Sequence, residues 1–394
     1  MKRFSLYALL CLTCILLVLT SASAQSKDIA VASQDFANAA KVAYPAIPGL
    51  AAPPKKSVSS DGPDRSSRWE IEFHGGGMFS SNPDGGKVAF PAAGATFTDA
   101  AAAPTRPVSS WMFGDGAALY NAFSAASGGA MTTTMTPLDA VLSRQAGNRT
   151  GGPGLGFRFG VDLNKRFGLE WSTDYTWTPV QLKKSFLTGL EATRASYGTT
   201  FTDLAVNYCG CGGAGDAITD TRRRSEGGQL FNTLAANIYL RTSGKLIPYI
   251  TAGGGFASNV GPDPHAAILG HYVLNNLDEN TDTVNVVART DRTQALGLIG
   301  IGAKYYATPH WGLRFDFRDH LMGNGLSTAV DATPVATTGA FGPSSPGTTP
   351  DIQFGSTTGQ PDSLSGPVLT KFRTFKGDGI RNQFGFNVGV FFRF

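Results

Sequence analysis

Cysteine is scarce in this sequence, and long hydrophobic runs are absent beyond its first two dozen residues. It contains four cysteines. Cys11 and Cys14 lie in the apolar N-terminal segment, so only Cys209 and Cys211 remain for the rest of the chain. Two cysteines are compatible with an oxidising compartment, but they exclude the class of small secreted domains that a disulfide framework holds together.

An excess of charge of either sign is lacking as well. The formal net charge is +4, and this includes Lys2 and Arg3 near the N-terminus. A chain so close to neutral gives no indication of a nucleic-acid partner. The mean hydropathy of −0.07 is that of a soluble exported protein. A membrane β-barrel has the same average, because its lipid-facing and lumen-facing residues alternate along each strand.

The N-terminus has the three parts of a secretory signal peptide. A basic start at Met1-Lys2-Arg3 precedes an apolar stretch that ends near Leu19, and Ala22-Ser23-Ala24 forms a small-residue cleavage site. The apolar stretch is shorter than the roughly 20 residues of a membrane-spanning helix. We therefore predict a signal peptide over residues 1–24. The Ala- and Pro-rich residues 25–68 are predicted to form a flexible periplasmic linker.

Strict alternation of apolar and polar residues indicates β-strands in the remainder. The clearest example is 311–318, where Trp311, Leu313, Phe315 and Phe317 alternate with glycine and charged residues. Seven further segments alternate clearly or weakly, at 69–80, 155–163, 167–177, 229–240, 246–258, 294–307 and 384–394. Each is near the 9–11 residues that a tilted transmembrane strand needs. The pattern predicts an all-β, antiparallel up-and-down transmembrane β-barrel of about eight strands over residues 69–394.

The lengths of the connections support this prediction. Short turns at 164–166, 241–245 and 308–310 alternate with long stretches at 81–153, 181–227, 260–292 and 321–382. Outer-membrane barrels have short periplasmic turns and longer external loops. We therefore expect both ends of the barrel domain on the periplasmic side, and four long external loops without a recognisable chemical motif.

These features together resemble the OmpA-like family of eight-stranded outer-membrane barrels. The resemblance rests on the signal peptide, on Pro248-Tyr249 leading into Gly253-Gly254-Gly255, on glycines 297, 300 and 302, and on the aromatic C-terminus. It covers the strands and not the loops. It implies that the barrel assembly machinery reads the last strand as its signal. The residues that would supply this signal are Phe384, Phe386, Val388, Val390, Phe392 and Phe394.

The alternation also assigns charged residues of both signs to the barrel lumen. An eight-stranded barrel is just wide enough inside for side chains to fill it. Opposite charges there are expected to pair, which favours a plugged, structural interior; a narrow hydrophilic conduit gated by the same charges is the alternative. The predicted lumen residues are Glu70, Glu72, Arg158, Asp162, Glu170, Asp174, Lys304, Arg314, Asp316, Arg318 and Arg393.

Three loop motifs have a functional and a structural interpretation each. Cys209 and Cys211 favour a loop disulfide over a metal site, since no second ligand pair is near in sequence. The segment Asp278–Asp282 begins like a calcium loop but lacks its glycine and its final glutamate, so a solvated acidic loop is expected, with weak calcium binding as the alternative. A set of loop cations is equally compatible with contacts to lipopolysaccharide phosphates and with a solvated surface: Lys183, Lys184, Arg222, Arg223 and Arg224.

The sequence therefore predicts a bacterial outer-membrane β-barrel with a structural or surface-interaction role in the cell envelope. The alternative is a small, porin-like channel for ions or small solutes. His320 and Asp319 end a strand at the external rim, but neither has a partner nucleophile or base in the pattern, so no catalytic residue is predicted. No cofactor, metal or nucleic acid is expected. The expected partners are outer-membrane lipid, lipopolysaccharide and the assembly machinery.

Overall fold

The computed structural model describes residues 68–90, 106–210, 213–273, 280–333, 335–337 and 371–394. In chain order the strands are β1 (Arg68–Ser80), β2 (Gly86–Val88), β3 (Arg106–Val108), β4 (Gly147–Arg149), β5 (Gly152–Asp162), β6 (Phe167–Thr176), β7 (Val180–Leu182), β8 (Ala214–Arg222), β9 (Gln229–Tyr239), β10 (Leu246–Asn259), β11 (His265–Val273), β12 (Asn280–Thr290), β13 (Thr293–Tyr306), β14 (Trp311–Gly323), β15 (Leu326–Ala332), β16 (Val335–Thr337), β17 (Lys371–Gly377) and β18 (Ile380–Arg393). The helices are α1 (Gly114–Ala126), α2 (Asp139–Leu142) and α3 (Lys184–Asp203), which runs into a π-helical turn at Leu204–Cys209.

Eight of the strands close into one antiparallel barrel. Their order around it is β1-β18-β14-β13-β10-β9-β6-β5, with β5 paired to β1. Each barrel strand is thus bonded to the previous and the next barrel strand along the chain, which is the predicted up-and-down arrangement. The first and last strands meet at residues 69 and 394, where Trp69 N donates to Phe394 O and Phe394 N to Trp69 O, both at 3.1 Å. Closure leaves no strand edge unpaired, as a sheet in lipid requires.

Side chains alternate between the two faces of the barrel as the sequence pattern predicts. On β14 the rings of Phe315 and Phe317 are exposed, whereas Arg314, Asp316 and Arg318 are buried inside. The same alternation places exposed Leu, Ile, Val, Trp and Phe side chains around the outside of all eight strands. A continuous apolar exterior around a polar interior is the arrangement of a transmembrane barrel.

The two ends of the barrel differ. At one end, here the turn end, tight turns join β5 to β6, β9 to β10 and β13 to β14. At the other end the chain leaves the barrel between residues 80 and 152, 176 and 229, 259 and 293, and 323 and 380, close to the limits of the four predicted loops. The predicted signal peptide and nearly all of the predicted linker lie outside the described residues. Within the described part of the chain, no helix combines the length and apolarity that a membrane span requires.

The four long connections do not behave as separate loops. They contribute strands to one antiparallel six-stranded sheet in the order β2-β17-β15-β12-β11-β8, and α1 and α3 cover one face of this sheet. We call this unit the cap. Its core contains the aromatic residues Trp111, Tyr120, Tyr197, Phe201 and Tyr272, all buried, with the rings of Phe201 and Tyr272 stacked at 4.5 Å. The cap thus has a hydrophobic core of its own, apart from the two clusters inside the barrel.

Helix α3 binds the edge of the cap sheet as well as its face. Phe186, Leu190, Tyr197 and Phe201 are buried at intervals of four or seven residues, which places them on one side of the helix. At the sheet edge, Arg194 donates to the backbone oxygen of Ala217 at 2.8 Å. Through this contact the helix protects part of β8, whose backbone groups would otherwise be open to another chain.

Candidate functional site

The barrel interior contains an ion-pair network that connects strands on opposite walls. Arg314 on β14 lies at its centre, with nitrogen–oxygen distances of 2.7 Å to Glu170, 3.2 Å to Glu72 and 3.1 Å to Asp316. Arg158 on β5 bonds two of these three carboxylates, Glu72 at 2.7 Å and Asp316. These side chains are at most 3 % exposed. Each buried charge therefore has at least one partner of opposite sign, which reduces the cost of burying it.

A second branch of the network lies nearer the turn end. Lys304 Nζ is 2.7 Å from Glu70 and donates to the Tyr239 hydroxyl at 3.1 Å. Tyr239 in turn donates to Asp162 at 2.5 Å, and Asp162 is 2.6 Å from Arg393. The two branches meet because Arg314 also approaches Glu70, at 3.9 Å.

His74 on β1 adds a buried titratable group to the lumen. Its Nδ1 is 3.3 Å from Glu72, and its Nε2 bonds Asp174. Arg318 completes the set by pairing with Glu170 and lying 3.5 Å from Asp316. The eleven predicted lumen residues thus lie together in the barrel, as six carboxylates and five Lys or Arg side chains. The charges of these eleven residues sum to −1, and His74 lies between two of the carboxylates.

Aromatic and aliphatic side chains fill the rest of the lumen, at the level of the second branch and nearer the cap. Near the turn end, Tyr249, Tyr306 and Phe391 pack with Tyr239 and Ile247. Phe391 lies on the inner face of the last strand, and its ring packs edge-on against Tyr306 at 5.1 Å. Nearer the cap a second cluster fills the interior: Met78, Phe231, Ala235, Ala257, Leu296, Leu298 and Met322.

These layers leave little free volume. A cavity in the charged layer, bounded by Glu72, Arg158 and Arg314 among others, measures about 10 Å³. That is at the lower limit for a single water molecule. Chemically, the charged layer can hold the strands in register, and at this cavity it offers no space to a solute.

The residues of the predicted assembly signal lie on the outside of β18. Val388, Val390, Phe392 and Phe394 are exposed, and Phe384 and Phe386 are half-buried. The alternate residues of the strand, including Arg393, point inward. The described residues thus present an apolar stripe on the last strand at the seam where the barrel closes.

The predicted loop cations come together on one side of the cap, close to the barrel. Leu182 N donates to Arg223 O at 2.9 Å, and Gln181 pairs with Arg224, so Lys183 and Lys184 lie beside Arg222, Arg223 and Arg224. The arginines are exposed, and Lys183 is 3.6 Å from the carboxylate of Asp84. The side chain of Cys209 and all of Cys211 lie outside the described residues, so the predicted disulfide stays a prediction.

The expectation of a solvated acidic loop is wrong at Asp282. This residue lies on β12, and its side chain is fully buried in the cap. Its Oδ2 accepts hydrogen bonds from Ser110 Oγ at 2.9 Å and from Trp111 N at 2.8 Å. Burial raises the pKa of Asp282 to about 7, since these two bonds offset only part of the desolvation. Asp282, Val284 and Val286 are spaced by two residues and therefore share one face of a strand. This spacing was the signal in the sequence that Asp282 is buried with the two valines.

No protein-family model matches this sequence, and no curated protein matches it. Among solved structures, the chain is similar to the outer membrane protein OprG of Pseudomonas aeruginosa, with 11% identity, a TM-score of 0.30, and coverage of 83% of this chain and 97% of that one. It is also similar to the attachment invasion locus protein Ail of Yersinia pestis (7%, 0.25, 84% and 99%) and to the outer membrane protease OmpT of Escherichia coli (9%, 0.28, 83% and 97%). At these scores the likenesses carry no information about activity.

Proposed function

We propose that the protein is a bacterial outer-membrane anchor that holds a folded cap at the cell surface, with a structural or surface-interaction role in the envelope. The observation that carries this proposal is the combination of a filled lumen with a cap that has its own hydrophobic core. A barrel closed by ion pairs and aromatic rings provides a rigid support. A folded domain built from its loops provides a surface for partners, as external loops on rigid scaffolds commonly do.

A role without catalysis is part of the proposal. The titratable side chains of the lumen pair with one another, and His74 is occupied by Glu72 and Asp174. His320 is buried, bonds the backbone oxygen of Gln383 at 3.2 Å and packs against Phe231. Side chains so engaged have no free position for a substrate atom, which a general acid or base needs within hydrogen-bond reach.

The proposed partners follow from the placement in the membrane. The exposed belt of the barrel would contact lipid, and the exposed arginines at 222–224 with Lys183 and Lys184 would face the phosphates of lipopolysaccharide. Export through a cleaved signal peptide, insertion by the barrel assembly machinery and membership of the OmpA-like family belong to the same proposal. The apolar stripe of β18 supports insertion by the barrel assembly machinery.

Planar-bilayer recording separates the anchor from the channel alternative. For the refolded full-length mature protein we expect no steady unitary currents, because the charged layer and both apolar clusters block the lumen. A matched variant, Phe231→Ala with Met322→Ala and Phe391→Ala, removes large side chains from the two apolar clusters and leaves the charges in place. We expect this variant to conduct more often than the wild type. Steady unitary conductance of the wild type itself would overturn the anchor in favour of the channel.

A further inference from the structure

A groove of about 610 Å³ lies on the open face of the cap sheet, where the cap joins the barrel. Its walls include the charged or titratable residues Asp263, His265, Arg289, Asp291, Arg292 and Arg373. Its volume is within the range of sites that bind small molecules. The face concerned is opposite to the one that α1 and α3 cover.

The register of the sheet explains why cations collect there. Arg373 on β17 pairs with Ala329, Ala329 with Val287, and Val287 with His265. Residues paired in this way across a sheet point to the same face. Arg289 lies two positions beyond Val287 on β12 and therefore shares that face. Small apolar residues between the charged ones leave a concave floor.

The positive charges of the groove are not neutralised within it. Among the described residues, the guanidinium groups of Arg289 and Arg373 make no ion pair, and both side chains are exposed. Arg292 donates only to the backbone oxygen of Gly261, at 3.0 Å.

Two aspartates also line the groove, and each lies near a buried arginine. Asp263 accepts from Thr290 Oγ1 at 2.9 Å and stabilises the charge of Arg149, which is buried under the cap. Asp291 acts in the same way on the buried guanidinium of Arg381. The groove walls therefore hold three arginines and two aspartates, an excess of one positive charge.

The groove lies next to the end of the apolar exterior of the barrel. On β10, Phe256 is exposed, and Val260 directly after the strand is exposed as well. The groove begins at Pro262, two residues later. Two residues of extended chain span roughly 7 Å. The groove therefore begins just above the end of the exposed apolar surface, which in the proposed orientation is the level of the lipid headgroups.

We propose that this groove binds a phosphate ester on a sugar, carried by a glycolipid of the outer leaflet. The planar guanidinium group matches the oxygens of a phosphate in pairs, so Arg289 and Arg373 would clamp it from two strands. Asn285 and Ser327 in the groove walls can hydrogen-bond sugar hydroxyls. The acyl chains of the same molecule would lie along Phe256 and Val260. The inference rests on the proposed placement in the outer membrane.

Binding to the refolded full-length mature protein in detergent micelles tests the inference. The probes are purified lipopolysaccharide, the same material after enzymatic removal of its phosphates, and glucosamine 1-phosphate. We expect the phosphorylated glycolipid to bind at least about tenfold tighter than the dephosphorylated one, since two charge-assisted contacts are at stake. Glucosamine 1-phosphate should compete only weakly. If glucosamine 1-phosphate competes effectively at the same concentration as lipopolysaccharide, the ligand is a soluble sugar phosphate and not a glycolipid.

The variant Arg289→Gln with Arg373→Gln should lose most of this preference for phosphate and keep only the share that the exposed arginines 222–224 contribute. The matched control is Lys165→Gln with Arg166→Gln, which removes the same charge from an exposed turn at the other end of the barrel and should retain it. Unchanged binding by the groove variant, or no phosphate preference in the wild type, contradicts the inference. Arg289→Lys with Arg373→Lys serves if the first variant does not fold, and should lose part of the affinity. A heat-modifiable band for each protein shows that its barrel is folded. A result that contradicts the groove site can then be told apart from a result that contradicts the proposed membrane anchor.

Discussion

Arg314 and Glu170 bond each other across the full width of the barrel, with 2.7 Å between guanidinium nitrogen and carboxylate oxygen. Their strands, β14 and β6, are four positions apart in a ring of eight. Such a contact couples opposite walls, which neighbouring-strand hydrogen bonds cannot do. Glu170 also accepts from Asn237 at 2.7 Å and pairs with Arg318. The barrel is therefore braced through its centre as well as around its wall.

Glu170→Gln should destabilise the barrel strongly. The change leaves the guanidinium groups of Arg314 and Arg318 buried without one of their counter-charges, which costs about 3 to 5 kcal/mol. Urea unfolding followed by heat-modifiable gel migration measures the loss. Glu191→Gln is the control, because this exposed glutamate pairs with Arg194 on the surface of α3 and should change the free energy of unfolding by less than about 1 kcal/mol. Equal effects of the two changes would contradict the bracing role.

The cap should become less stable as pH rises from about 4 to about 7. In this window the folded state keeps a proton on Asp282, whose pKa burial raises to about 7, while the unfolded chain has lost it. Stability falls with pH wherever the folded state binds more protons. The shift corresponds to a cost on the order of 4 kcal/mol above pH 7.

Asp282→Asn should remove this dependence, so that the rate of limited proteolysis in the cap no longer rises with pH. Asp331→Asn, an exposed change on the same sheet beside Lys371, should leave the pH profile of the wild type. A wild-type cap equally resistant at pH 5 and pH 8 would show that Asp282 ionises without cost.

Gly116→Ala should loosen the cap and spare the barrel. A Cβ at this position would lie 1.8 Å from the backbone oxygen of Ser110, so α1 must move away from its contact. Overpacking of this kind costs about 1 to 3 kcal/mol. We expect faster proteolysis inside the cap and an unchanged heat-modifiable shift. Ala118→Ser, at an exposed position of the same helix, should change neither. Loss of the shift in the Gly116 variant would mean that cap and barrel unfold as one unit.

Phe394→Ala should lower the amount of protein in the outer membrane several-fold without weakening the refolded barrel. Its ring is exposed, and the backbone bonds to Trp69 survive the substitution. Phe256→Ala removes an equally exposed ring from β10 and should leave the level unchanged. A normal level of the Phe394 variant would argue that the last strand is not read as a signal.

The barrel could be predicted from sequence because apolar and polar residues alternate along its strands, with the apolar ones outside and the polar ones in the lumen. On β14, for example, Arg314, Asp316 and Arg318 alternate with Phe315 and Phe317. The cap was missed for a physical reason. Its sheet joins strands from all four connections. Strand β17, for example, pairs with β15 and with β2, which are far away in the sequence, so no short hairpin turn between them marks these strands. Helix α3 was the detectable part, since Phe186, Leu190, Tyr197 and Phe201 have helical spacing.

The central claim, a barrel that spans the membrane and holds the cap outside, is tested most directly by cysteine labelling on intact cells. Thr219→Cys in the cap and Lys165→Cys in a turn at the opposite end are compared in a Cys209→Ser, Cys211→Ser background. With a membrane-impermeant maleimide we predict labelling of the cap residue on intact cells, and labelling of the turn residue only after permeabilisation. Labelling of the turn residue on intact cells, or protection of the cap residue, would contradict the account.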